Sequence, residues 1–132
     1  MSATRDHRGT ILVEPARLIR RREWPAGQYE FRLQAPGIAA RALAGSFVHL
    51  QCDPLLPMRR PMSLMAVDPE EGWVDILFKV HGHGTALLAR HDEGDELSLI
   101  GPIGVPFRQS GYRPRPLLIG GGVGIPPMVF LA

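Results

Sequence analysis

The 132-residue sequence contains one cysteine, Cys52, one lysine, Lys79, and no apolar run as long as a membrane span. A single cysteine excludes an internal disulfide and a self-contained cysteine-rich metal site. The formal charge of +2 is carried almost wholly by arginine and is too small to require nucleic acid. The first nine residues are polar and lack the apolar core of a signal peptide. These absences predict a soluble cytoplasmic protein with no membrane partner.

Glycine and proline are abundant, with 15 and 13 residues, which favours short strands and tight turns over long helices. One short helix is expected at Thr85, which is predicted to be its N-cap. The pattern predicts a mainly β fold, a six-stranded antiparallel barrel over residues 10–112 that follows a flexible tail over residues 1–9. The six segments with strand character are 10–24, 28–34, 46–50, 62–67, 73–80 and 96–100.

The character of the sequence changes after a polar, proline-punctuated stretch at residues 109–116. The apolar run 116–119 opens into the glycines of residues 120–124, and a helix start with Pro126 and Pro127 in its first turn follows. Strand, glycine loop and helix in this order are typical of the start of a dinucleotide-binding α/β unit. Residues 113–132 are therefore predicted to begin a truncated α/β domain that binds a dinucleotide. Without the other strands of that domain, residues 116–132 are expected to be poorly anchored.

The stretch 60–63, Arg-Pro-Met-Ser, lies between two apolar segments and combines three chemical features. Arg60 offers a planar fork of donors that suits a phosphate. Pro61 fixes the backbone of a stiff turn into the next strand, and the Ser63 hydroxyl can donate to or accept from a ring nitrogen. A surface arginine followed by a strand-edge proline is the alternative interpretation, and these four residues alone do not exclude it.

A glycine loop, Gly82-His83-Gly84-Thr85, precedes the predicted helix. Glycines permit close approach of a ligand, and the first N–H groups of a helix bind phosphate. The motif is weak by itself, because many loops contain it. His81 and His83 have no third ligand at a suitable spacing, so no metal site is predicted.

The four motifs, taken in order, resemble those of the ferredoxin reductase-like flavoproteins: Arg-Pro-x-Ser at 60–63, Gly-x-Gly-Thr at 82–85, Gly-Pro-x-Gly at 101–104 and Gly-Gly-Gly-x-Gly-x-x-Pro at 120–127. Within that family the sequence is most similar to the electron-transfer subunit of dihydroorotate dehydrogenase, over about residues 10–132. In the family, the barrel holds FAD and the following α/β domain holds NAD(P)H.

The resemblance implies a set of cofactor-binding residues and no catalytic ones, since the chemistry belongs to the cofactor. The nicotinamide site would begin at Gly120, Gly121, Gly122, Gly124 and Pro126. The residues that would bind FAD are Arg60, Pro61, Met62, Ser63, Leu77, Phe78, Lys79, Gly84 and Thr85.

Two departures from the family pattern limit the carry-over. Many relatives have tyrosine where Met62 stands, so stacking of that residue on the flavin is absent. The subfamily also binds a 2Fe-2S cluster through a C-terminal cysteine cluster, whose ligands this chain lacks. The resemblance implies electron transfer between NAD(P)H, FAD and a partner redox subunit, such as the catalytic subunit that oxidises dihydroorotate in pyrimidine biosynthesis. The chain by itself is expected to be inactive.

A second class of function remains open, a small β-barrel module that binds nucleic acid or an acidic protein. Three consecutive arginines, 20–22, suggest it, although a solvated strand end without an aromatic-rich basic surface accounts for them as well. Colour distinguishes the two classes. A flavoprotein is yellow, whereas a colourless chain that shifts an oligonucleotide in a salt-dependent way is a binding module.

Overall fold

The computed structural model describes residues 9–108, 110–111 and 113–132. The predicted tail therefore lies, apart from Gly9, outside the described residues. Within the described residues no helix is long and apolar enough to cross a membrane. The elements are β1 (Leu12–Trp24), β2 (Gln28–Gln34), α1 (Pro36–Arg41), β3 (Phe47–Leu50), β4 (Arg60–Asp68), β5 (Trp73–Lys79), α2 (His83–Leu88), β6 (Glu96–Ile103) and α3 (Ile125–Leu131).

The six strands close into a barrel in the order β1-β2-β5-β4-β3-β6, and every neighbouring pair is antiparallel. This architecture confirms the predicted fold class. Strands β4 and β5 form a hairpin that turns at residues 69–72. Closure gives each of the six strands two neighbours, so no strand is unpaired along the whole of one side.

The barrel interior is filled by apolar side chains that alternate along the strands, as the period of two requires. Phe31 and Phe78 pack edge to face inside it, with ring centroids 5.0 Å apart. The fully buried interior residues of the strands include Ala16, Leu18, Phe31, Leu33, Val48, Leu50, Leu64, Val74, Ile76 and Leu99.

Helix α1 closes one end of the barrel. Pro36 occupies its first turn, and Ile38 and Ala39 are fully buried. The free backbone N–H groups at the N-terminus of α1 donate to a side chain on β1. The Glu14 carboxylate on β1 accepts hydrogen bonds from Gly37 N and Ile38 N, each at 2.9 Å.

A charged network covers the outer face of β1, β2 and β5. Arg32 donates two hydrogen bonds to Asp75, at 2.8 and 2.9 Å, and its guanidinium lies 3.5 Å from the Trp73 ring centroid. The hydrogen bond that Arg32 donates to Asp75 is the main reason that the pKa of Arg32 is raised above its ordinary value. Arg20 lies 3.1 Å from Glu30 and 3.7 Å from Asp75, which makes the network continuous.

The arginine run 20–22 is therefore more than a solvated strand end. Arg20 belongs to the charged network, and Arg21 donates to the Ala89 carbonyl at the end of α2, at 2.9 Å. Only Arg22 is exposed and free of a polar contact among the described residues. The sequence could not show this, because Glu30, Asp75 and Ala89 are brought near only by the closed barrel.

The segment after β6 differs from its prediction. Residues 116–119 form no strand, because the described residues place no neighbouring strand beside them, and Leu117 and Ile119 are 83% and 79% exposed. Helix α3, in contrast, packs against β4, with Pro126 buried and Phe130 against the core. The expectation that all of residues 116–132 are poorly anchored is therefore wrong for α3. The assignment of this segment to a separate domain stays a prediction.

Amide hydrogen exchange tests this division of the C-terminal segment. We expect the amides of Leu117 to Ile119 to exchange at nearly the rate of an unfolded peptide, because no backbone hydrogen bond reaches them among the described residues. The amides of Val74 and Ile76, in the centre of the barrel, are the protected reference. Strong protection of residues 117–119 in a monomer would show that the segment is integral to the fold.

Candidate functional site

The barrel opens at one end of the seam between β4 and β5. The two strands pair from Leu64 and Ile76 toward the turn, but not in the other direction. Beyond Leu64, the first residues of β4 pair only with β3, and beyond Ile76 the last residues of β5 pair only with β2. Two strand edges thus face each other without a ladder between them, and their backbone polar groups are available to a ligand.

A cavity of about 670 Å³ occupies this opening, a size typical of small-molecule and cofactor sites. Its walls come from β3, from the two separated strand ends, from the loop and first turn of α2, and from the start of α3. The lining residues are Phe47, Arg60, Pro61, Met62, Ser63, Leu77, Phe78, Lys79, His81, Thr85, Val123 and Pro126. The structure therefore brings together residues from distant predicted motifs.

Arg60 and Pro61 lie inside β4, and not in a turn before it. The prediction of a stiff turn is wrong, because β4 begins two residues earlier than the apolar pattern indicates. Pro61 is tolerated there since the β4 edge toward β5 is open at this point, so its missing N–H interrupts no ladder on that side. The alternative interpretation, a strand-edge proline, thus describes the backbone correctly and is compatible with a site.

The guanidinium of Arg60 lies directly against Gly84 in α2. A β-carbon on Gly84 would come within 3.1 Å of Arg60 Nε and 3.2 Å of its terminal nitrogen, tighter than most contacts in proteins. Arg60 is exposed and makes no hydrogen bond or ion pair among the described residues. Glycine at position 84 therefore allows a cation without a protein partner to sit beside the first turn of a helix.

Thr85 lies within α2 and is not its N-cap, which is Gly82. The Thr85 hydroxyl instead accepts a hydrogen bond from His81 N at 2.7 Å and donates to His81 O at 2.9 Å. These bonds hold the 81–85 loop closed. They leave the N–H groups of Gly84 and Thr85, in the first turn, without an intrahelical partner.

The charges around the cavity have one sign. Arg60 and Lys79 line it, and no aspartate or glutamate does so among the described residues. Within the described residues, neither Lys79 nor Arg60 has a carboxylate within ion-pair distance. Such a site favours an anionic ligand, because each cation gains a partner that the protein does not supply.

Met62 and Ser63 contribute to the cavity in different ways. Met62 is almost completely buried and packs with the barrel core, so only part of its side chain reaches the cavity. Ser63 lies on the opposite side of the strand, paired with Phe47 of β3. A methionine at this position therefore supplies an apolar floor, whereas a hydroxyl one residue later faces outward.

The glycines of the second loop do not line the cavity. Gly120 is required by close packing, because a β-carbon there would lie 2.9 Å from the Gly124 carbonyl oxygen, and Gly122 has a φ of +56°. Gly121 and Gly124 have open space around them. Of the residues predicted for a nicotinamide site, only Pro126 reaches the cavity, and a nicotinamide role for this loop stays a prediction.

Three cavity residues were not identified from the sequence: Phe47, His81 and Val123. Phe47 reaches the site because β3 pairs with β4 so that Phe47 stands opposite Ser63, and a register of this kind is not visible in either segment. His81 and Val123 adjoin glycine motifs that were identified. Their position next to those motifs is the signal that could have found them.

Metal and thiol chemistry receive no support from the geometry. Within the described residues no three histidine, cysteine, aspartate or glutamate side chains come together as metal ligands. Cys52 is fully buried, and burial raises the pKa of its thiol. Since the thiolate is the reactive form, Cys52 is a core residue and not a nucleophile.

Comparison with known proteins agrees with the fold. No family model matches the chain. The ferredoxin reductase of a carbazole 1,9a-dioxygenase has a similar structure, with a TM-score of 0.77, 25% identity, and coverage of 92% of this chain and 38% of the other. That reductase has also been solved in an FAD apo form. The fold is thus that of a ferredoxin reductase-type barrel, as the order of motifs predicted.

Within that class, the chain is similar to the electron transfer subunit of dihydroorotate dehydrogenase B (NAD(+)). It is 37% identical to the subunit from Bacillus caldolyticus over 131 residues, 95% of this chain and 48% of the relative. It is 39% identical to the subunit from Geobacillus thermodenitrificans over 110 residues, 79% of this chain and 42% of the relative. The family resemblance is confirmed, and the chain spans about half the length of these curated relatives.

Proposed function

We propose that the chain is the FAD-binding part of an electron-transfer flavoprotein, with the flavin held in the open β4–β5 seam. The observation that carries this proposal is the cavity itself. It combines two unpaired strand edges, an apolar wall and a guanidinium that faces no protein anion. A flat heteroaromatic ring with a phosphate tail has the shape and charge that this combination accommodates.

The residues present fit FAD. Leu77 and Phe78 offer an apolar surface along one open edge, and Ser63 offers a hydroxyl on the other. Arg60, beside the unpaired N–H groups of Gly84 and Thr85, offers a charge and hydrogen-bond donors for the pyrophosphate. The similar reductase has been solved in a form described as the FAD apo form, which supports FAD as the ligand of this fold.

FAD, when bound, supplies hydride and one-electron chemistry. The chain binds and orients it. Arg60 would neutralise phosphate charge, Ser63 would exchange a hydrogen bond with a polar ring atom, and Lys79 would add a second cation at the rim. Leu77 and Phe78, with Pro61 and Met62, exclude water from the ring. No residue of the site is assigned a proton-transfer step.

We expect the chain to prefer FAD to FMN, because Gly84 and Thr85 would bind a pyrophosphate and not a terminal phosphate. The measurement is a fluorescence titration with each flavin, together with mass spectrometry of the cofactor released from purified protein. FAD should be the flavin recovered and the tighter ligand. Recovery of FMN alone would contradict the assignment of this turn to a pyrophosphate.

The wider activity follows from the relatives and is also a proposal. Similarity to electron transfer subunits of dihydroorotate dehydrogenase B supports electron transfer between NAD(P)H, FAD and a catalytic partner subunit, in dihydroorotate oxidation. The glycine loop 120–124 before α3 would begin the nicotinamide site. The proposal is tested by measuring flavin-dependent reduction of a dye by NADH. The rate is compared between this chain and a full-length electron transfer subunit of the kind it resembles.

The alternative, a nucleic-acid or acidic-protein module, loses its main support in the structure. Arg20, Arg21 and Arg32 are held by contacts within the barrel. What remains of the basic run at 20–22 is Arg22. We therefore expect purified protein to be yellow and not to shift a labelled single-stranded oligonucleotide.

A further inference from the structure

Hydrogen bonds tie the loop before β4 to the segment that follows α2. The loop comprises residues 51–59. At its end, the Arg59 guanidinium donates to Ser98 O at 2.9 Å and to Ser98 Oγ at 2.8 Å, with a longer bond to His49 O at 3.4 Å. At its start, His91 Nε2 lies 2.9 Å from Cys52 O. His91 and Ser98 both lie in the stretch that connects α2 to the middle of β6.

Arg59 and Arg60 are neighbours with opposite environments. The Arg59 side chain, at the end of the loop, reaches β6 and β3, whereas the Arg60 side chain, at the start of β4, reaches α2. Arg59 is half-buried, and three acceptors take its hydrogen bonds. Arg60 is exposed and has no polar partner among the described residues. Arg59 does not line the cavity, so a role in ligand binding must act through its neighbour.

Among the described residues, no strand ladder joins the start of β4 to the neighbourhood of α2 on the β5 side. At this point β4 has lost its pairing with β5 and pairs only with β3, where Arg60 stands opposite Leu50. Helix α2 is held elsewhere, by buried Leu88 and by the Arg21 bond to Ala89 O. The strand end and the helix therefore meet across an open seam, and the bonds from Arg59 to Ser98 connect the strand end to the segment that leaves the helix.

We propose that Arg59 is a positioning residue for the phosphate-binding arginine: by fixing the start of β4 to Ser98, it holds the Arg60 guanidinium against Gly84, in the place where it meets the cofactor pyrophosphate. This inference rests on the proposed FAD function. A charge that is correctly placed before binding loses less conformational entropy on binding, so a loosened Arg60 binds the same phosphate less tightly.

A double-mutant cycle on the 132-residue chain tests the proposal, with FAD affinity measured by fluorescence titration. The variants are Arg59→Met, Arg60→Ala and the two combined. Arg59→Met should raise the FAD dissociation constant about tenfold, near the middle of the range for residues that act through a neighbour. In the Arg60→Ala background, the same change should raise it by less than about twofold, because the group that Arg59 positions is absent.

Equal effects of Arg59→Met in both backgrounds would overturn the proposal, since a general loss of structure does not depend on Arg60. Arg59→Lys should restore part of the affinity, because its ammonium can still donate to Ser98 O. If Arg59→Met does not fold, as judged by circular dichroism, Ser98→Ala takes its place in the cycle and the same coupling to Arg60 is required.

Arg22→Met is the matched control, because Arg22 is exposed and has no polar contact among the described residues. Its FAD affinity should equal that of the unaltered chain. Failure of the unaltered chain to bind FAD would overturn the proposed function, and this inference with it. Binding of FAD with strictly additive effects of Arg59 and Arg60 would overturn this inference alone.

Discussion

Replacing Arg60 with alanine should weaken FAD binding by about 1–3 kcal/mol, or about 5- to 150-fold in the dissociation constant. The reason is that Arg60 forms no ion pair with an aspartate or glutamate among the described residues. The whole of its charge is available to a phosphate beside Gly84. Titration of the two proteins with FAD, at one fixed and moderate salt concentration, measures the difference.

The salt dependence of this effect distinguishes charge from packing. If Arg60 binds phosphate through its charge, the difference in FAD affinity between the two proteins should shrink as ionic strength rises, because salt screens exposed charges. Arg22→Ala, which removes the same charge from an exposed site on β1, should leave FAD affinity unchanged. Equal losses for Arg60→Ala and Arg22→Ala would contradict the assignment of Arg60 to the cofactor.

Replacing Arg32 with methionine should destabilise the folded barrel by about 3 kcal/mol, because it leaves the Asp75 carboxylate buried and poorly compensated. Asp75 has 4% of its side chain exposed, and its remaining cation, Arg20, lies 3.7 Å away. The substitution also removes the contact with the Trp73 ring. Urea unfolding monitored by tryptophan fluorescence measures the free energy of unfolding.

A second substitution separates the buried charge from lost packing. Arg32→Met combined with Asp75→Asn removes the uncompensated charge and should recover part of the lost free energy of unfolding. Arg22→Met, on an exposed part of the same sheet, should change that free energy by no more than about 0.5 kcal/mol. If Arg32→Met is no more destabilising than Arg22→Met, the outer network does not contribute to stability.

The barrel was predictable because its strands carry local signals. Tyr29, Phe31 and Leu33 alternate with polar residues along β2, and Gly72 marks the turn of the β4–β5 hairpin. Each such segment can be recognised from the pattern of a few consecutive residues. The motif order then indicated the family, and the comparisons confirm it.

The remaining features depend on contacts between distant segments. Pairing of β4 with β3 begins at Arg60, and no local pattern shows that this residue is in a strand. Glu14 takes the N-terminal donors of α1 in place of a local cap, and the Thr85 hydroxyl turns back to His81 instead of capping α2. The place of Phe47 in the cavity and of Arg59 against Ser98 follows from strand register, which a single sequence does not encode locally.

The open seam between β4 and β5 also bears on how the empty protein behaves. Two strand edges with free N–H and C=O groups form a slot into which a strand from another chain can add. A ligand in the cavity covers those edges, so it protects the chain against edge-to-edge association as well as stabilising it by mass action. On the proposed function, we therefore expect loss of the flavin and loss of colloidal stability to occur together, so preparations saturated with flavin should keep longest.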